Sequence, residues 1–475
     1  MPDPTRRTHT ARTRSVVALL AIGLLMSIGV PSAQAISFET DGSGTVEYPA
    51  DASSADIQPS NPTSCPTLTS TPDYFEVWLN TDDSEERGWW DPKNNEPWSF
   101  ASRTAQLICG AAQGATIRIG MFFIRAIGTA SRPESDVETI YDALQWVHEH
   151  RGVDIEIVLD DSTLAGVNRT QANQRFESIG DVGYCYNGCL NTNKRSRFPS
   201  AIEHEKYLAI SDTTWDTASG DHPLVFSSSG NWARSQIRNY WQEATLVYDD
   251  QKLYDEFEAR HAALMSCTKG EGDCKSGSKA ITALNLKKDR KIWIDRFYRR
   301  STDSGRGTFV AFAPQASDAP DYYVSQFDGL DCKVDTKVRI AMFKLTDTKA
   351  ERMADSLSRL KKQGCNVEML ISQSYAANEV SAKVKKKLKN ANIPFYCSAI
   401  PMHTKMILIG PMTGNEGRVL VGTANMSTSG LRYSDEHVLT LDTRLATGAY
   451  QESMRRAYGE YLAGWDALAQ GRNKC

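Results

Sequence analysis

His204 and Lys206 stand in the string HEKYLAIS, and His403 and Lys405 stand in HTKMILIG, so one chain carries the same H-x-K pair twice. Each pair is followed by a turn of small residues that ends in Asn, SSGN at Asn231 and GTAN at Asn425, and then by a carboxylate, Glu243 or Glu436. Residues two apart on a strand share a face, so each His is expected to project beside its Lys, with Glu205 and Thr404 pointing away. Phosphodiester cleavage requires a nucleophile, an acid for the leaving oxygen and positive charge on the non-bridging oxygens. Two imidazoles, two ammoniums and two amides supply all three without a metal or other cofactor. Ser229 and Thr423, in the small-residue turns, are expected to let donors approach a bound phosphate. Glu243 and Glu436 are each expected to orient an imidazole, the part a carboxylate plays behind a reacting His. One such set alone would read as a surface pair and a turn. Its recurrence in order predicts one site shared by two halves.

The repeat extends into the elements that must hold these residues. TIRIGMFFI (116–124) matches KVRIAMFKL (337–345), and 142–162 matches 355–374, so each half reads strand, helix, strand. The β-branched runs suit buried parallel strands, and the helical segments stop at Gly152 and Gly364. Each half then runs through the H-x-K strand, the Asn turn and a further strand to a terminal helix, near 251–265 and 446–463. The expectation is an α/β fold: two pseudo-symmetric mixed-sheet half-domains packed with both motifs at the seam.

The boundaries follow from composition. Arg6, Arg7, Arg12 and Arg14 precede an apolar run from Val16 to Val30 and the sequence Ala33-Gln34-Ala35, which reads as a signal peptide over 1–35 and predicts a secreted protein. Residues 36–64 read as a flexible lead-in, 65–267 as the first half-domain, 268–289 as a linker and 290–475 as the second half-domain. The formal net charge is −4, and removal of 1–35, with four Arg and one Asp, makes it −7. That balance disfavours a broad nucleic-acid groove. All ten cysteines lie after residue 35, an even count that predicts disulfides in an exported chain, with 185/189 and 267/274 close enough for local pairs.

The duplicated H-x-K with its Asn turn resembles the phospholipase D superfamily over nearly everything from Cys65 onward. The resemblance implies a phosphohistidine mechanism in which His204 attacks and His403 protonates the leaving group, while Lys206, Lys405, Asn231 and Asn425 bind phosphate. The chain departs from the family motif H-x-K-x-x-x-x-D, carrying Ser211 and Gly410 at the Asp positions, with Asp212 adjacent to the first. Ser228 also stands where the family turn has Gly.

Three substrate readings follow. A secreted phospholipase D would hydrolyse phospholipid headgroups to phosphatidic acid, with transfer to an alcohol as a variant. A metal-independent endonuclease of the same superfamily would cut nucleic acid, and a weakened relic would only bind lipid or phosphate. The basic NKRSRF (193–198) before His204 and the apolar Ala399–Met402 before His403 give the site one basic and one apolar lip, which suits an amphiphile at a membrane surface. Trp89, Trp90 and Trp98 are candidates for transient contact with that surface. No obligate protein partner is indicated.

Overall fold

The apolar runs that open each repeat become central strands of two mixed sheets. A computed structural model describes residues 65–66, 72–80, 89–91, 96–98, 100–125, 136–160, 175–185, 188–190, 201–215, 220–233, 236, 240–268, 305–315, 320–333, 336–372, 380–398, 401–411, 414–470 and 472–474. The expected signal peptide and lead-in, nearly all of the linker, NKRSRF, Cys274 and Cys475 lie outside these residues, as do the side chains of Trp89, Trp90 and Trp98.

The first half comprises β1 (Phe75–Asn80), β2 (Trp89–Asp91), β3 (Glu96–Trp98), α1 (Phe100–Cys109), β4 (Thr116–Met121), β5 (Ile124–Arg125), α2 (Asp136–Arg151), β6 (Asp154–Asp160), β7 (Asp181–Cys185), β8 (Lys206–Ile210), β9 (Leu224–Ser228), β10 (Trp232–Ala233), β11 (Glu243–Tyr248) and α3 (Gln251–Thr268). The second comprises β12 (Thr308–Ala313), α4 (Tyr322–Ser325), β13 (Thr336–Met342), α5 (Asp347–Lys362), β14 (Asn366–Ile371), α6 (Ala382–Asn390), β15 (Phe395–Cys397), β16 (Lys405–Pro411), β17 (Arg418–Gly422), α7 (Thr428–Arg432), β18 (Glu436–Asp442), α8 (Gly448–Ala469) and β19 (Asn473–Lys474).

The sheet orders are β3-β2-β1-β11-β9-β8-β4-β6-β7 and β12-β18-β17-β16-β13-β14-β15-β19. The run from β1 to β7 in the first therefore corresponds strand for strand to the run from β12 to β15 in the second. In each half the strand–helix–strand unit is parallel, β4 with β6 and β13 with β14, while the H-x-K strand joins it antiparallel. The helices of these units end at glycines in the left-handed region, Gly152 (φ 61°) and Gly364 (φ 99°), where a side chain would be strained.

Between the sheets, one apolar core draws on both halves. Tyr207, Trp241, Tyr254 and Phe257 pack with Met402, Met406, Leu408, Tyr461 and Trp465. The terminal helices cross over to make it: Phe257 of α3 meets Phe312 of β12 with ring centroids 5.3 Å apart, and Ser453 of α8 accepts the Phe75 N–H of β1 at 3.1 Å. Disulfides join Cys65 to Cys109, Cys185 to Cys189 and Cys332 to Cys365, and Cys267 and Cys397 are also disulfide-bonded.

Candidate active site

Each H-x-K histidine stands just before its strand, not within it, because its main chain is claimed by the opposite half. His204 N–H donates to Asp435 O and His403 N–H donates to Trp241 O, both at 2.9 Å. Returning bonds run from Asp435 N–H to Ile202 O and from Trp241 N–H to Pro401 O, again at 2.9 Å. These paired bridges bring the two rings face to edge with centroids 6.4 Å apart.

The lysines open β8 and β16 and are fully buried. Lys206 Nζ donates to His204 O at 2.6 Å and lies 5.4 Å from the Phe122 ring centre; Lys405 Nζ donates to His403 O at 2.9 Å and lies 5.3 Å from that of Phe343. Phe122 and Phe343 are equivalent by main-chain pairing, each donating its N–H at 3.0 Å to the residue between His and Lys, Glu205 or Thr404. Ammonium over an aromatic face is favourable where water is excluded. Asn231 and Asn425 are buried with their side-chain oxygens unpartnered, and the Asn231 amide donates to Gln236 Oε1 at 2.9 Å.

The two carboxylates do not play matching parts. His204 Nδ1 lies 2.8 Å from Glu436 Oε2, across the seam. A carboxylate there requires the proton on Nδ1, which leaves the Nε2 lone pair free for attack, and it stabilises the charge that attack places on the ring. His403 Nδ1 instead faces Ser229 O at 2.9 Å. Glu243, expected to orient an imidazole, accepts the Ser229 hydroxyl at 3.0 Å and the Lys405 N–H at 3.2 Å.

Strand register explains this correction. Ser229 N–H pairs with Glu243 O, whereas Thr423 N–H pairs with His437 O, so Glu243 corresponds to His437 and the counterpart of Glu436 is Gln242. Trp241 and Asp435, each bonded to a motif His, give the same alignment. Gln242 is fully buried with Oε1 unpartnered, and a Cβ on Gly230 would lie 2.0 Å from that oxygen, so the turn needs glycine to admit it. Ser229 and Thr423 are spent on these strand contacts, Thr423 Oγ1 accepting His437 N–H at 3.0 Å.

Burial, reinforced by Lys206, Lys405, His403 and Lys344, drives the His204 imidazole well below its ordinary range. Burial, Lys405 and Lys206 do the same to His403. Both rings are neutral in the resting protein near pH 7, and a negative charge placed beside His403 would raise its proton affinity. Behind the H-x-K segment, Glu205 accepts Arg260 Nε at 3.0 Å, and Arg260 also reaches Ala313 O at 2.6 Å and Asp435 Oδ1 at 3.3 Å. Arg260 therefore ties both halves together next to Glu436. Among the described residues, no group of three or more His, Cys, Asp or Glu could hold a metal ion.

The departures at the two Asp positions lie away from this chemistry. Ser211 Oγ accepts Thr116 N–H at 2.8 Å at the far end of β8. A Cβ on Gly410 would stand 2.3 Å from Tyr458 Oη and 2.7 Å from Glu416 O, so Asp has no room there. Asp212 accepts the N–H groups of Thr213 and His222 at 2.8 and 2.9 Å and closes a local turn. Ser228 Oγ accepts Gly230 N–H at 3.0 Å inside the first Asn turn.

Two facing copies of one α/β unit, each giving His, Lys and Asn to a common buried site, define a phospholipase D-like fold. The chain belongs to the family described as "Cardiolipin synthase, PLD-like domain", whose model matches residues 106–265 and 332–458. Members of this superfamily act on phosphodiesters. No curated protein matches the chain. Among solved structures it is similar to phosphatidylserine synthase from Haemophilus influenzae, at 12% identity and TM-score 0.51 over 79% of this chain and 85% of that one. Yeast tyrosyl-DNA phosphodiesterase matches at 10% identity and TM-score 0.43 over 79% and 90%. Polyphosphate kinase from Porphyromonas gingivalis matches at 11% and 0.42 over 72% of this chain, which spans 46% of that protein's length.

Proposed function

We propose that this protein is a secreted phospholipase D that hydrolyses phospholipid headgroups to phosphatidic acid through a phosphohistidine on His204. The observation that carries the reading is the carboxylate-held His204 facing His403 across the seam. In that reaction His204 Nε2 forms a bond to phosphorus as the bond to the headgroup oxygen breaks, and His403 delivers the proton to that oxygen. A water molecule, deprotonated by His403, then releases phosphatidic acid and restores His204. Lys206, Lys405, Asn231 and Asn425 hold the non-bridging oxygens, and no divalent metal takes part.

A lipid substrate is supported by the buried apolar cluster next to His204, where Phe122, Phe123 and Ala233 pack with Ile202, and the Phe122 ring lies 5.1 Å from the imidazole. Secretion is supported by the leader-like sequence and the disulfides. The test is to incubate purified protein with mixed phospholipid vesicles plus ethanol, and separately with single-stranded and duplex DNA. Phosphatidic acid and phosphatidylethanol are expected. Shortened DNA without lipid products would make the protein a nuclease, and vesicle binding without product would make it a binding protein.

A further inference from the structure

Asp435 is the residue through which the second half grips the attacking histidine. Its N–H donates to Ile202 O and its O accepts His204 N–H, both at 2.9 Å, while the next residue, Glu436, accepts His204 Nδ1–H at 2.8 Å. The place of Asp435 therefore sets both the main-chain and the ring contact of His204. Its counterpart in the other half, Trp241, makes the same two main-chain bonds, to Pro401 and His403, but buries its side chain in the apolar core between the sheets. Asp435 lacks that apolar anchor. Burial raises its carboxyl to about 6, so at neutral pH it is ionised although completely buried, and a buried charge is costly unless fixed donors receive it.

Three donors do so. Cys189 N–H donates to Oδ2, Leu190 N–H lies 3.1 Å from Oδ1 and 3.3 Å from Oδ2, and Arg260 Nη2 donates to Oδ1 at 3.3 Å. The first two stand there because a disulfide ties Cys189 to Cys185, the last residue of the edge strand β7. A bridge between residues 4 apart removes less loop-closure entropy from the unfolded chain than bridges spanning 33 and 44, so its effect is on local geometry. Both cysteines are buried with Val158, Leu264 and Met265, which makes the bridge a fixed brace rather than an exposed redox site. The same edge supports the residue before His204: Asp160, paired with Cys185 across β6 and β7, accepts Glu203 N–H at 2.8 Å.

We propose that Asp435 is a positioning residue for the nucleophile: clamped by the main-chain donors of Cys189 and Leu190 and by Arg260, it holds Glu436 against His204 Nδ1. Only the kinetic arm of the test rests on the phosphodiesterase reading. The first arm is proton NMR, in which His204 Nδ1–H bonded to a buried carboxylate should give a downfield resonance, assigned by its absence from His204→Ala. In Asp435→Asn, whose amide turns a donor toward three donors, that resonance should move upfield or vanish while circular dichroism shows the fold retained. Asp435→Ser, smaller and still an acceptor, takes its place if Asp435→Asn does not fold. A resonance unmoved in the folded variant would overturn the proposal. The second arm is a double-mutant cycle on a soluble nitrophenyl phosphodiester. Asp435→Asn should lower kcat about tenfold with little change in KM, and should cost little further once Glu436→Gln is in place. Equal losses in the two backgrounds would make Asp435 a structural residue only and contradict the assignment. A native protein that hydrolyses no phosphodiester would defeat the enzymatic reading alone, and the resonance would still decide the role of Asp435.

Discussion

Glu436 accepts a hydrogen bond from the Nδ1–H of His204 at 2.8 Å across the seam, while its counterpart by strand register, Gln242, is uncharged. The pseudo-symmetric site is thus polarised, with a carboxylate behind one imidazole only. Glu436→Gln should keep the fold and lower kcat about 10²- to 10⁴-fold, with a much smaller change in KM, because the interaction strengthens as charge develops on His204. Gln242→Ala should cost less than this. Steady-state kinetics on a soluble phosphodiester checks both, and equal losses would contradict that polarity.

The division of labour predicts a leaving-group effect. A headgroup alcohol leaves poorly unless protonated, so His204→Ala and His403→Ala should both be nearly inactive on phospholipid. Nitrophenolate needs no proton, so His403→Ala should recover much of its activity on a nitrophenyl diester while His204→Ala stays inactive. Rescue of His204→Ala instead would reverse the roles.

An acid role for His403 also sets a pH dependence. His403 is depressed well below the ordinary imidazole range by burial and by Lys405 and Lys206, so its protonated fraction in the free protein falls as pH rises through and above that depressed value. For phospholipid, kcat/KM should therefore decline toward alkaline pH. For a nitrophenyl diester that alkaline limb should vanish. Parallel profiles on the two substrates would contradict an acid role for His403.

Much of this was legible in the chain. The strand–helix–strand repeat and the doubled H-x-K survive as local patterns, since periodicity and spacing are properties of contiguous sequence. Two features were not. The cross-seam bond from His204 to Glu436 joins residues 232 apart, and only packing of the halves creates it. Gln242 was missed because like was matched with like, Glu243 with Glu436, although Asn231 and Glu243 are 12 apart and Asn425 and Glu436 are 11 apart. That one-residue difference was the available signal, and it sends alternate side chains to opposite faces.

Glu205 offers a stability test. Burial raises its carboxyl to about 7, so the folded protein retains a proton that the unfolded chain releases near pH ~4.3. Its contribution to stability therefore declines as pH rises from about 4.3 to about 7. Glu205→Gln, which gives up the Arg260 pair, should be destabilised at low pH and regain Tm relative to the native protein across that window. A difference in Tm that stays constant with pH would show that Glu205 does not hold the proton.

Reduction should inactivate by unfolding. The Cys65–Cys109 bridge spans 44 residues and ties the start of the described core to α1, a closure contributing about 4 kcal/mol. No cysteine belongs to the two motif sets, so alkylation of the native protein should leave activity intact. Circular dichroism alongside activity distinguishes the two, and loss of activity with structure retained would point to a reacting thiol.

The most direct measurement is the site of the covalent intermediate. His403→Ala is mixed with a nitrophenyl phosphodiester, quenched under alkaline conditions that preserve phosphohistidine, digested and examined by mass spectrometry. The phosphoryl adduct should lie on the peptide containing His204 and be absent from His204→Ala. An adduct on any other residue, or nitrophenolate release with no adduct at all, would contradict attack by His204.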